Sequence, residues 1–224
     1  HGWVAGGNGA FRHYGYAGYW ALDFTRLDAN FGTDADFQNL VDQAHARGIR
    51  IVVDVVLNHP GYGTGADLLA YLPEVFRDGT GAAFRAWQPG PGEDWNRWNG
   101  FVDYASTGWQ SWWASAKRDG NGLTTWIRAG NPGEFPGFPK QGSDDLTSQL
   151  ASLPDFITEG TIEAGLPILL ARKGSRPGDS TGAVEIPGAT VRDYLVTWHG
   201  DWVRRFGIDG FRCDTAKHVE LASW

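Results

Sequence analysis

The chain holds one cysteine and no methionine. A lone Cys213 excludes an internal disulfide, and its place inside an apolar run reads as a small buried side chain rather than a nucleophile or a metal ligand. The lack of methionine, an initiator included, is what a mature or excised piece would show. No stretch reaches the roughly 18 uninterrupted apolar residues of a membrane-crossing helix, and the opening HGWVAGG has no charged segment leading into an apolar one. Basic runs are lacking too. With a net charge of -7 and a pI near 5.3, nucleic acid is excluded as the main partner, because phosphate binding requires clustered Lys and Arg. These absences predict a globular, soluble chain that engages neither membrane nor nucleic acid; a monomer is expected, though no feature of the sequence fixes the oligomeric state.

What is present is apolar: 42% of the 224 residues are hydrophobic and 14% aromatic, enough to build a substantial core in one or two domains. TDADFQNLVDQAHARG, residues 33 to 48, predicts a helix with Thr33 as N-cap and Asp36 three residues on, as in a capping box. Phe37, Leu40, Val41 and Ala44 form its apolar face, and Gly48 stops it. TVRDYLVTWHGDWVRRFG, residues 190 to 207, repeats the design with Thr190, Asp193 and Gly207, its apolar face being Val191, Tyr194, Leu195, Trp198, Trp202 and Phe206. Each helix runs into a strand, one within GIRIVVDVVLNH and one within GIDGFRCDTAKH. The first is nearly continuous in Ile and Val, as expected where both faces of a parallel strand are covered. In each unit the glycine stands eleven residues before a histidine, His59 or His218, with an aspartate between. Two such units predict a parallel α/β architecture, in which ligand sites gather at the carboxyl ends of the strands.

Between the units the pattern breaks. All 11 prolines, 21 of the 32 glycines and seven of the 12 tryptophans lie in residues 60 to 188, without helix-strand periodicity. An irregular segment of that length is normally functional rather than a connector. The expected division is therefore 1–59, an inserted domain over 60–188, and 189–224, with most of the inserted tryptophans filling a core rather than binding ligand.

Strand alternation sends Arg212 and Asp214 out on one face, and Phe211 and Cys213 on the other. A guanidinium beside a carboxylate favours its ionised form and fixes its orientation, which suits a carboxylate nucleophile and equally a structural ion pair. GIDGFRCDTAKHVE at 207–220 resembles the fourth-strand motif of the α-amylase family, the family 13 glycoside hydrolases, and DVVLNH at 54–59 resembles its third-strand motif. AGYW at 17–20 is similar to the loop after the family's second barrel strand, and LPDF at 153–156 to a motif near the end of its inserted domain B. TVRDYL and KHVELASW are similar to the periplasmic bacterial branch of the family.

The resemblance implies part of a (β/α)8 barrel with a domain inserted after strand 3, running from the loop after strand 2 through strand 4. It also implies a retaining hydrolase of α-1,4-glucans, periplasmic or extracellular. In it, Asp214 is the nucleophile and Arg212 its charge partner. Tyr19 stacks on the sugar at the cleaved bond, His59 hydrogen-bonds it, and Lys217 and His218 line the leaving-group side. It implies calcium as well, held by Asn58, Asp155 and the His218 carbonyl, with Asp144 or Asp145 a further candidate. Asp54 is expected inside, organising the third-strand loop. Ala17 stands where many members carry a sugar-contacting histidine, a contact His13 could replace. The family's general acid and a further aspartate belong to later strands, so this chain alone is expected to be inactive. A transglycosylase, a sucrose- or trehalose-acting enzyme, and a non-catalytic sugar-binding module are the competing readings.

Overall fold

The computed structural model describes residues 3–5, 12–14, 18–61, 65–86, 100–103, 106, 126–127, 146, 155–176 and 181–224, with the backbone alone at 3–5, 12–14, 65–67 and 84–86. A short antiparallel pair, β1 (Trp3–Ala5) and β2 (Arg12–Tyr14), opens the chain. It was not foreseen. Helix α1 (Asp34–His45) follows, with the Thr33–Asp36 capping box formed in both directions. Past its end, Gly48 takes a left-handed φ of 70°. Its N–H reaches His45 O while Ile49 N–H reaches Ala44 O, the paired bonds that close a helix on glycine. Strand β3 (Val52–Val56) comes next.

Three short helices that sequence patterning did not mark, α2 (Gly65–Tyr71), α3 (Gly81–Ala86) and α4 (Ile168–Gly174), lie in the inserted stretch. Each has six or seven residues, too short for a 3.6-residue period to stand out. Residues 94–104 (DWNRWNGFVDY) and 108–120 (GWQSWWASAKRDG), whose composition would allow short strands or a helix, fall mostly outside the described residues. Helix α5 (Val191–Phe206) has its own two-way capping box, Thr190 with Asp193, and ends on Gly207 at φ 68°. Strand β4 (Gly210–Asp214) pairs with β3 in parallel, Val52 opposite Gly210, Asp54 opposite Arg212 and Val56 opposite Asp214. A parallel pair needs a crossover, and α5 leads the chain back to it. Asp209 fixes the start of the ladder. Its N–H donates to Ile51 O at 2.9 Å, and its carboxylate accepts from Ile51 N–H at 2.8 Å and pairs with His45 Nε2 at 2.7 Å.

Three side chains are less buried than expected. Leu40 is 54% exposed, because Phe37, Val41 and Ala44 centre the buried stripe of α1 and Leu40 lies on its flank. Val52 is 59% exposed, so β3 is not covered on both faces. Ile51 and Val53 pack with Phe37, Val41, Trp202, Phe206 and Ile208 beneath the helices, while Val52 and Asp54 look out on the opposite face. Cys213 is only half-buried.

The larger core draws on all three expected segments. Phe24, from the first segment, and Tyr194 and Trp198, from α5, share one cluster with Leu68, Leu72, Trp126, Phe156 and Leu170 of the inserted stretch. Phe24 and Trp126 each lie nearly parallel to Trp198, with ring centroids 6.3 and 5.6 Å from it. The indole N–H of the fully buried Trp126 donates to Gly165 O at 2.6 Å. This tryptophan is core, as expected; the other six of the stretch lie outside the described residues. No described helix is long and apolar enough to cross a membrane.

Candidate active site at the ends of two strands

The ladder register puts Asp54 and Val56 beside Arg212 and Asp214 on one face of the pair. The Arg212 guanidinium divides itself between two carboxylates: Nη1 reaches both oxygens of Asp54 at 2.9 and 2.8 Å, and Nη2 reaches Asp214 Oδ1 at 3.0 Å. The Tyr19 hydroxyl donates to Asp54 Oδ2 at 2.7 Å and accepts from Arg212 Nη1 at 3.2 Å. So the expected Arg212–Asp214 pair is present, and Tyr19 stands beside it.

Asp54 is the correction. It does not organise the loop beyond β3; it is the shared acceptor of Arg212 and Tyr19. Two-residue alternation decides this, since Asp54 has the same parity as Arg212 across a parallel ladder and must come out on the same face. Its hydrogen bond is the first cause that raises the Arg212 guanidinium above its ordinary value, and the first cause that raises the Tyr19 phenol. Tyr19 therefore keeps its proton and stays a donor. Immediately after Asp214, Thr215 takes a left-handed φ of 53°, an uncommon conformation for a β-branched residue, with its hydroxyl bonded to Asp214 O at 2.7 Å. The chain turns away there, leaving Asp214 at the strand's rim.

His59 is 2% exposed. Its Nδ1 meets Asn58 Oδ1 at 3.1 Å, whereas Nε2 is buried without a hydrogen-bond partner among the described residues. Burial pushes the imidazole down to about 4, offset only in part by the Tyr19 main chain and Asp214, so the ring is neutral near pH 7.

The residues expected to hold calcium also converge. Asn58 Nδ2 donates to Asp155 Oδ1 at 2.6 Å and to the His218 carbonyl at 3.0 Å, with Asn58 and Asp155 both buried. Two hard oxygens from different parts of the chain, the donor type calcium prefers, are thus turned to one amide, whose own oxygen faces His59 Nδ1; among the described residues no group of three or more His, Cys, Asp or Glu side chains is gathered to hold a metal. Asp155 and Phe156 of LPDF are docked here, Phe156 N–H donating to Asn58 O at 2.7 Å. A few residues on, the Thr158 hydroxyl donates to the Glu220 carboxylate, a second tie from the inserted stretch to the segment after β4. Asp144 and Asp145 lie outside the described residues, as do Ala17 and the side chain of His13.

Lys217 and His218 sit in a single 3₁₀ turn, Ala216–His218, directly after the rim. Lys217 is exposed and His218 half-buried. Tyr19, Arg212, Asp214, His59, Lys217, His218, Asn58 and Asp155 are each delivered by the end of β3, the end of β4 or a loop packed against them. Residue types alone did not reveal Asp54's place. The signal was its parity with Arg212, available once the two strands are set side by side.

The family described as "Alpha amylase, catalytic domain" matches residues 11–104. The chain is 44% identical over 233 residues to the periplasmic alpha-amylase of Escherichia coli K12, covering 100% of this chain and 32% of that protein. It is 28% identical over 239 residues to an alpha-amylase of Streptomyces lividans, covering 97% of this chain and 21% of that protein. A 44-residue stretch, 20% of this chain and 6% of the other, is 59% identical to a cyclomaltodextrin glucanotransferase of Niallia circulans. The chain thus spans a third or less of the length of these relatives.

Proposed function

The chain belongs to the α-amylase family, and on that premise we propose that the protein carrying it cleaves internal α-1,4-glucosidic bonds of starch-like glucans with retention, Asp214 being the nucleophile. The observation that carries this reading is the divided Arg212 guanidinium. One nitrogen is anchored by Asp54, and the other holds Asp214 at the rim of the strand pair.

In the first step an Asp214 oxygen forms a bond to the anomeric carbon as the glycosidic C–O bond breaks, and the departing oxygen takes a proton from an acid. In the second, water displaces Asp214 and returns a proton to that same acid. Such an enzyme needs a second carboxyl group; we take it to come from a part of the protein this chain does not include, so the isolated chain is expected to be inactive. Arg212 keeps Asp214 oriented by an ion pair. The Tyr19 ring supplies an apolar face with a polar tip to the sugar at the cleaved bond. His59, neutral, offers Nε2 to a hydroxyl of that sugar, and Lys217 and His218 face the leaving group. Calcium, when bound by Asn58, Asp155 and the His218 carbonyl, would supply fixed positive charge that ties the inserted stretch, residues 60–188, to the barrel segments on either side of it. The name of the Escherichia coli relative supports a periplasmic or extracellular setting.

In the full-length protein, Asp214→Asn is expected to cut starch hydrolysis by several orders of magnitude, measured as reducing ends released, with the fold intact by circular dichroism. Activity within tenfold of the unsubstituted protein would overturn the nucleophile assignment and favour a sugar-binding role. The short match to a glucanotransferase supports a second reading, transfer to a sugar acceptor, which the same nucleophile would serve. Product analysis on starch separates linear oligosaccharides from transfer products.

A further inference from the structure

What holds the Tyr19 loop in place is not a regular element: residues 18–22 are turn and irregular chain. They lie against the segment that leaves β3, where His59, Pro60 and Gly61 are all buried. Gly61 N–H donates to Ala21 O at 2.7 Å. A Cβ built on Gly61 would stand 2.2 Å from Trp20 O, 2.5 Å from Trp20 C and 2.7 Å from Trp20 Cβ, where ordinary contact begins near 3.4 Å. Two of those atoms are main chain, and no rotamer change can clear them. The two segments touch backbone to backbone, one peptide unit from Tyr19 and two residues from His59.

We propose that Gly61 is a positioning residue, whose missing side chain lets the 18–22 loop settle on the end of β3 so that the Tyr19 hydroxyl reaches Asp54 and Arg212. The inference rests on the glucan-hydrolase reading for its kinetic consequence, though not for its geometry. Any side chain at position 61 forces the Trp20 carbonyl outward by about an ångström to regain ordinary contact, and Tyr19 moves with it. A displacement of that size at a substrate-contacting group is worth roughly 10 to 100-fold in rate.

The test is a double-mutant cycle in the full-length protein, reading kcat and KM on a maltooligosaccharide of defined length. Gly61→Ala is expected to lower kcat/KM at least tenfold with a raised KM, and Gly61→Ala combined with Tyr19→Phe to lose no more than the worse single variant. Losses that multiply, a KM left unchanged with only the active fraction reduced, or full activity in Gly61→Ala would each overturn the proposal. Should Gly61→Ala not fold, hydrogen exchange of the Gly61 amide in Tyr19→Phe decides. Freeing the phenol should loosen the loop and speed that exchange at least tenfold, and unchanged protection would overturn the coupling. If Asp214→Asn retains starch hydrolysis, the functional reading fails, while the exchange measurement still judges Gly61.

Discussion

Among the described residues, two histidines are buried and neutral near pH 7. His199 sits inside α5 with Nδ1 on Leu195 O at 2.6 Å, its ring near Phe24 and edge-on to Phe211, and burial holds it below its ordinary value. His59 is pushed the same way, to about 4. A folded-state value below the unfolded one means that the unfolded chain takes up protons first on acidification. The stability tied to these rings is therefore complete above about pH 6.5 and falls as pH drops through that value toward the folded-state ones. Denaturant unfolding of the full-length protein between about pH 7 and 4 should show this decline, and His199→Leu should flatten it. An identical slope in the variant would mean that His199 takes up its proton as readily in the folded state as in the unfolded one. Asp214→Asn and Gly61→Ala belong to this scale too, since each alters one atom group whose neighbours are fixed.

At the scale of elements, the two helix-strand units work as delivery devices. In both, a capping box starts the helix and a left-handed glycine ends it, so the strand that follows begins at a set residue and its alternation is fixed. Asp209, staple of the ladder's start, then locks β3 to β4 in the register that faces Asp54 to Arg212. A slip of β4 by one residue would turn Arg212 and Asp214 to the helix-covered face and away from Asp54. Gly207→Ala is expected to cost about 1 kcal/mol, because an L side chain resists the left-handed conformation. Chemical denaturation reads that loss, and an unchanged midpoint would show that the α5–β4 junction tolerates another geometry.

For the molecule as a whole, the question is what keeps the inserted stretch on the strand pair. Part of the answer is apolar, the shared cluster around Trp126 and Trp198. The other part is polar: Asn58, Asp155 and the His218 carbonyl bring β3's end, the inserted stretch and the turn after β4 to one point. Calcium there would bind the docked form alone, adding about 2.7 kcal/mol when its free concentration is a hundred times its dissociation constant. A chelator should therefore lower the melting temperature of the full-length protein and expose the inserted stretch to protease, and Asp155→Asn should abolish the difference. Equal melting with and without chelator would remove the metal from this site.

Local pattern determined a great deal by itself. Both long helices with their caps, both strands and the pairing of Arg212 with Asp214 followed from periodicity, cap chemistry and strand alternation, because those depend on near neighbours in sequence; the meeting of Asn58 with Asp155, 97 residues away, was legible only through the motif resemblance. Tertiary structure alone decided the rest. Asp54 became the anchor of Arg212 only when two strands 158 residues apart in the chain were laid in register. The short helices of the inserted stretch, the exposure of Leu40 and Val52, and the tight seat of Gly61 under Trp20 likewise depend on which surfaces meet. That is a property of packing between distant segments, and no window of consecutive residues contains it.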